Sequence, residues 1–176
     1  DGNKLAIIEA LRESCTKPAP PTPSEVTPDR RPTEPIFSPK TMASYALVIG
    51  NDYPGENCEL LGCVNDANAM GDALQEVGFD VVVLKNQSWS CIQQALRDLR
   101  DKAQSTTNDG GVLVLTYFSG HGFSEGGENY VMPTKMGTWT KKGDLPAVAI
   151  PIADIQTLMA QSNATAKLLI IDACRS

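Results

Sequence analysis

Two residues carry most of the chemistry this chain can offer. His121 is the only histidine, set in Thr116-Tyr117-Phe118-Ser119-Gly120-His121-Gly122. Cys174 lies in Ile170-Ile171-Asp172-Ala173-Cys174-Arg175-Ser176. Each stretch is an apolar run of strand length that stops on small and polar residues. A neutral thiol is a poor nucleophile, and the thiolate does the work. An imidazole within hydrogen-bond reach can take the thiol proton and return it to a leaving group. One His and one Cys at the carboxyl ends of two strands therefore point to a cysteine-nucleophile hydrolase. The oxyanion formed on the way needs backbone N–H donors. The amides of Gly122 and Cys174 are the candidates, because Gly122 has no side chain to keep a substrate away. Taken singly, a histidine after a strand is more often a satisfied polar residue, and a cysteine at a strand end a small buried hydrophobe. The pair, in this context, is what points to catalysis.

The elements that must position them can be read in order. Residues 3–14 have the spacing of a short helix, with Leu5, Ile8 and Leu11 on one face. Residues 15–43 hold eight of the twelve prolines and read as an extended linker or prodomain tail. Its basic sites, Arg30-Arg31 and Lys40, are solvated charges by default and cleavage sites on the sharper reading. The folded domain is expected over 44–176. Tyr45–Gly50 reads as a buried strand ended by glycine. A polar loop over 51–65 leads to a helix that starts at Asn65 or Asp66, with Ala67, Met70, Leu74 and Val77 on its buried face and Gly78 at its end. Asp80–Lys85 is a second strand. Ser90 and Gln93 suggest a capping box for a helix facing inward through Ile92, Leu96, Leu99 and Ala103. Val112–Phe118 is the third strand. A hairpin turning at Gly126-Gly127 follows, then an irregular loop over 134–150 containing Lys141-Lys142-Gly143. Pro151 opens a short helix, and Lys167–Asp172 is the fourth strand.

Strands alternating with helices predict an α/β fold with a mostly parallel sheet and helices on both faces. Ligands in such sheets bind beyond the carboxyl ends of the strands, where strand order reverses. Gly50, His121 and Cys174 all fall at or just past such ends, so pattern and chemistry agree on one site.

Composition removes other function classes. The 176 residues are 41% hydrophobic, enough for a full core, with a net charge of −6 that argues against nucleic-acid or anionic-membrane partners. No apolar run approaches the roughly 20 residues of a membrane span. Cys15, Cys58, Cys63, Cys91 and Cys174 are odd in number and irregularly spaced. That favours free thiols in a reducing compartment, and a cytoplasmic location is expected. One histidine and no Cys-x-x-Cys pair argue against zinc.

Ser119-Gly120-His121-Gly122 and Asp172-Ala173-Cys174-Arg175-Ser176 resemble the His and Cys boxes of the caspase-like cysteine peptidases. Their separation, roughly 50 residues, fits the caspase signature. The resemblance covers residues 44–176 and implies a three-layer caspase-like fold, here the large-subunit region, with His121 and Cys174 catalytic. Aspartate-specific caspases carry glutamine where this chain has Asp172. The aspartate resembles metacaspases, paracaspases and orthocaspases. In metacaspases and paracaspases it lines the S1 pocket with a second aspartate, matched here by Asp66. Arginine-lined pockets take acidic residues, whereas loop 51–65 holds no Lys or Arg but Asp52, Glu56 and Glu59. Two carboxylates suit a guanidinium or ammonium, so cleavage after Arg or Lys is expected. The plainer roles are a helix N-cap for Asp66 and a partner within its own loop for Asp172.

No cofactor is expected. Some metacaspases use calcium held by several aspartates. The segment after His121 offers Glu125 and Glu128 but no aspartate cluster, which leaves calcium dependence open. Asp-Ala-Cys-Arg-Ser, in place of the Asp-Ser-Cys-His-Ser of many metacaspases, tilts the resemblance toward paracaspases and orthocaspases. Caspase-like domains continue past the nucleophile into a small subunit, so the expected partners are basic peptide substrates and a small-subunit-like chain or C-terminal segment. Without that segment, residues 1–176 are expected to be inactive. An alternative class is a caspase-like scaffold or interaction module with secondary or no proteolysis. A flavodoxin-like binding domain is a third reading, but Gly50-Asn-Asp-Tyr-Pro-Gly55 supplies no convincing phosphate loop.

Overall fold

A computed structural model describes residues 42–135 and 145–173. The expected helix over 3–14, all but the last two residues of the linker, the Lys141-Lys142-Gly143 stretch and Cys174 lie outside the described residues. Strand β1 (Ala43–Gly50) leads through helix α1 (Cys63–Glu76) to β2 (Asp80–Lys85). Helix α2 (Trp89–Ser105) leads to β3 (Val112–Gly120). A hairpin of β4 (Gly122–Glu125) and β5 (Glu128–Val131) follows. Then come α3 (Leu145–Val148), β6 (Ile150–Pro151), α4 (Ile152–Ala160) and β7 (Ala166–Ala173).

The main sheet is parallel throughout, in the order β2-β1-β3-β7. Its central strands, β1 and β3, are the two most buried, covered on both faces. Residues of β1 alternate between two cores, as a strand's period of two requires. Leu47 and Ile49 join Ile92, Leu96, Leu99 and Ala103 of α2 and Ile155 and Met159 of α4. Ala46 and Val48 join Ala67 and Leu74 of α1 on the other face. Helices cover both faces because the chain steps from β1 to β2 in one direction and then back across β1 to β3. Right-handed crossovers in opposite directions put α1 and α2 on opposite sides. The reversal makes the gap between the ends of β1 and β3 the switch point of the sheet.

Helix α2 buries all four residues that its sequence pattern selects. Its start differs from expectation: Ser88 holds the N-cap position, and Ser90 instead shares a hydroxyl hydrogen bond with it at 3.0 Å. Helix α1 begins earlier than expected, with Gly62 at its N-cap. Asp66 is not the cap; it lies in the first turn, its own N–H already donating to the Gly62 carbonyl at 2.8 Å. The cap arrives from outside the helix. Asp52 Oδ1 accepts from the Val64 N–H at 3.2 Å, satisfying one of the donors a helix start leaves open. Val77, expected on the buried face, is 56% exposed. The helix stops before it. Gly78 at φ 94° reverses the chain, donating to Gln75 O at 3.0 Å while Phe79 donates to Leu74 O at 2.9 Å. This Schellman pattern swings Phe79 into the core in place of Val77. The loop expected over 134–150 ends in structure: α3, then β6, which pairs antiparallel with β5 through Ile150 and Val131.

Gly50 sets how closely α1 lies against the sheet. A Cβ there would collide with the Cys63 carbonyl oxygen and sit 2.7 Å from Ala67 Cβ. Both belong to α1, which cannot yield without leaving β1. Gly50→Ala should therefore lower stability by about 1–3 kcal/mol, the usual cost of overpacking. A urea unfolding midpoint reads this directly. Leu61→Ala, at a side chain 95% exposed, serves as the neutral control.

Candidate active site

His121 sits at the switch point, between the last residue of β3 and the first of β4. Its main chain is held on both sides. The N–H donates to Tyr53 Oη at 2.9 Å, and the carbonyl accepts from the Met132 N–H at 3.0 Å. Its ring is held as well, 4.7 Å centroid to centroid from the Tyr53 ring with 36° between planes. Nε2 lies 2.6 Å from the Cys58 carbonyl oxygen. A carbonyl can only accept, so Nε2 carries the proton and the neutral ring keeps its lone pair on Nδ1. The tautomer suited to a base at Nδ1 is thus chosen by a backbone group of the β1–α1 loop.

That loop is built to hold the position. Tyr53 and Asn51 are each 0% exposed. Tyr53 Oη donates to Met132 O at 2.7 Å and Asn51 Nδ2 donates to the same oxygen at 3.2 Å. Asn51 also donates its N–H to Ser119 O at 3.0 Å and accepts from the Gln87 N–H at 3.0 Å. One buried asparagine, through its main chain and its side chain, therefore joins the ends of β1 and β3 to the segment before α2 and the end of the hairpin. Tyr53 adopts φ 56°, a left-handed conformation that costs about 1–3 kcal/mol in a non-glycine residue and persists only where contacts hold it. The loop carboxylates are each engaged by backbone donors. Asp52 caps α1, Glu59 accepts from Gly55 N–H at 3.3 Å, and Glu56 accepts from Lys135 N–H at 3.1 Å.

Ionisation of the buried groups follows. Burial above all pushes the Tyr53 hydroxyl well up, so it remains a donor to Met132. Burial, then the charge of Glu56, pushes the Cys58 thiol up, so Cys58 serves through its carbonyl and not as a thiolate. Among the described residues, no three His, Cys, Asp or Glu side chains converge to hold a metal ion. None of the described helices is long and apolar enough to cross a membrane.

The other expected site residues fall around this point. Gly122 opens β4 opposite Val131. Cys174 is outside the described residues, but the residue before it is not: Ala173 is the register partner of Gly120, the residue before His121. Asp172, exposed near the end of β7, accepts a hydrogen bond on Oδ2 from the Tyr117 hydroxyl at 3.3 Å. Burial first, then the charge of Asp172 and, more weakly, that of Asp66 push this hydroxyl up. Asp66 on α1 and Asp172 on β7 thus belong to the same face of the sheet, the one on which Tyr117 packs. Tyr53, Asn51, Tyr117 and the Cys58 carbonyl were not among the residues sequence reasoning selected. A backbone carbonyl has no sequence signature. Tyr53 is hidden in a loop that reads only as polar, and Tyr117 in a strand that reads only as core.

Residues 43–176 match the caspase domain of the peptidase C14 family. The chain belongs to this family. It is similar to two metacaspases of Arabidopsis thaliana. With metacaspase-8 it shares 39% identity over 87 residues, 46% of this chain and 23% of that protein. With metacaspase-9 it shares 36% over 88 residues, 44% of this chain and 26% of that protein. The chain thus spans about a quarter of the length of these curated relatives. Its fold is similar to the crystal structure of the Drosophila initiator caspase Dronc, with a TM-score of 0.58 and 16% identity over 87% of this chain and 62% of that one. Protein GSU0716 from Geobacter sulfurreducens has a TM-score of 0.51 and 22% identity over 74% of this chain and 50% of its own. The mostly parallel sheet with helices on both faces is thus similar to the fold of the caspase Dronc.

Tyr53→Phe keeps the ring against His121 and removes both hydroxyl hydrogen bonds. A stability loss of about 1–3 kcal/mol is expected by chemical denaturation, since buried partners are left unmatched. The pH dependence should change as well. A tyrosine whose folded pKa is raised adds stability below its ordinary value of 10.0, and that contribution is lost as pH rises above it. The variant should therefore lose stability less steeply than the wild type above pH 10.0.

Proposed function

We propose that this chain is the catalytic part of a cysteine endopeptidase that cleaves after arginine or lysine, with His121 as base and Cys174 as nucleophile. The observation that carries it is the pairing of Gly120 with Ala173 beside an anchored imidazole. Adjacent strands lie about 4.8 Å apart, so the residues that precede His121 and Cys174 in sequence are side by side, which supports the pair acting together. Burial, then the charge of Glu56, pushes the Cys58 thiol up, which disfavours Cys58 as the nucleophile.

In this reading His121 Nδ1 takes the Cys174 thiol proton as sulfur attacks the scissile carbonyl carbon. The oxyanion is met by the amides of Gly122 and Cys174. The proton then passes from Nδ1 to the departing amine as the C–N bond breaks, leaving an acyl-enzyme. Water, deprotonated by the same nitrogen, releases the acid and restores the thiol. The Cys58 carbonyl stabilises the imidazolium that forms twice in the cycle, and the Tyr53 knot keeps Nδ1 in place throughout.

Asp66 and Asp172 are read as the acidic S1 pocket. Their places on the face of the sheet that α1 covers, with Asp172 bonded by the Tyr117 hydroxyl, support a single cationic side chain bound between them. The partner assigned is a small-subunit-like segment pairing along the outer edge of β7. Leu168 of that strand is 46% exposed, and among the described residues β7 pairs only with β3. An open parallel edge of this kind calls for cover.

Cys174→Ala and His121→Ala should each reduce turnover more than about a hundredfold in the full-length protein. Activity near wild type in either would remove the dyad. Fluorogenic peptides differing only at P1 test the pocket: Arg and Lys peptides should be cut and Asp peptides ignored. Asp66→Ala should weaken cleavage of an Arg peptide by on the order of 2–5 kcal/mol in transition-state binding. Unchanged kcat/KM would take Asp66 out of the pocket.

A further inference from the structure

Tyr117 lies on β3 with its ring in the core beneath α1, packed among Val48, Ala67, Leu74 and Leu115. It is 4% exposed. A phenylalanine would fill this apolar site as well, and a buried hydroxyl costs free energy unless it is bonded. The bond it makes leads out of the core. Tyr117 pairs with Ile170, and its hydroxyl reaches diagonally to the residue two further along β7, donating to Asp172 Oδ2 at 3.3 Å. Asp172 is exposed, the site where a short carboxylate moves freely between rotamers. The deep side chain thus holds a surface one.

We propose that Tyr117 is the positioning residue of the S1 pocket, fixing Asp172 so that arginine is preferred over lysine. This rests on the reading of Asp66 and Asp172 as that pocket. With Oδ2 held by the hydroxyl, Asp172 presents Oδ1 to the substrate in a set direction, and Asp66 supplies acceptors from α1. A planar guanidinium bridges two acceptors in fixed positions, because its N–H groups form a rigid fork. An ammonium is a point charge and gains less from that geometry. Burial and the charge of Asp172 keep the Tyr117 proton on oxygen, so the donor persists at neutral pH.

The test compares Arg and Lys peptides on the full-length wild type, Tyr117→Phe, Asp172→Asn and the double variant, with unfolding midpoints as a check on the fold. Tyr117→Phe should raise KM for the Arg peptide roughly tenfold, the scale of a lost hydrogen bond to a charged group. Its kcat should stay within about twofold, and its Arg-to-Lys ratio should fall toward one. In the Asp172→Asn background the same change should add little, since the two act as a unit. An unchanged Arg-to-Lys ratio, or effects that simply add, overturns the role of Tyr117 while leaving the basic pocket standing. A wild type that ignores both Arg and Lys peptides overturns the pocket reading itself. Should Tyr117→Phe lose its fold, Asp172→Glu decides the matter. It lies on an exposed strand end, keeps the charge and moves the carboxylate off the hydroxyl. Selectivity that survives Asp172→Glu overturns the proposal, and selectivity that falls supports it.

Discussion

One backbone carbonyl, that of Met132, anchors the histidine end of this site. It accepts from Tyr53 Oη and Asn51 Nδ2, both fully buried, while the N–H of the same residue donates to the His121 carbonyl. Buried donors and acceptors that satisfy one another in this way rigidify a site, and each is costly to leave unpaired. The knot is also what holds Tyr53 in its left-handed conformation and its ring against the imidazole. From it follow the course of the β1–α1 loop, the arrival of the Cys58 carbonyl at Nε2, and the choice of Nδ1 as the free nitrogen.

The parallel register is the second constraint. Because β3 and β7 pair side by side, a residue added to either strand between its paired stretch and the site would carry one side chain past the other by about 3.3 Å. Ser119 opposite Asp172 and Gly120 opposite Ala173 therefore tie two distant boxes of sequence to one geometry. Gly50 adds the third side. By letting α1 lie close on β1, it brings the first turn of that helix, with Asp66, to the face that Asp172 shares. Asp52 stabilises the same helix start from the loop that carries Tyr53, so the start of α1 and the surroundings of His121 share one short segment.

Charge and fold agree. The chain carries a net charge of −6, and under the proposed reading Asp66 and Asp172 would meet a cationic peptide side chain. A protein of like net charge with aspartate-specific cleavage would need an arginine-lined pocket, and loop 51–65 has no basic residue to give.

The sequence by itself determined the layered α/β fold, the four parallel strands and the buried faces of the long helices. Periodicity is local, and a run such as Val112–Phe118 reports its own burial without knowing its neighbours. Helix α2 was legible to the last core residue because Ile92, Leu96, Leu99 and Ala103 repeat at helical spacing. The motifs also marked His121, Cys174, Asp66 and Asp172 as candidates. The ends of elements were less legible. Whether α1 starts at Cys63 or Asp66 depends on a carboxylate at Asp52, distant in sequence, and Val77 is displaced by Phe79 only once Gly78 turns the chain. What holds the site was decided by tertiary structure alone. The acceptor for His121 is a main-chain oxygen common to every residue type, so no amino-acid identity could announce it. Tyr53 and Tyr117 show in sequence as aromatic rings, and only the folded register shows where each hydroxyl finds its partner. Side-chain identity is written in the chain, but hydrogen-bond geometry exists only when distant segments meet.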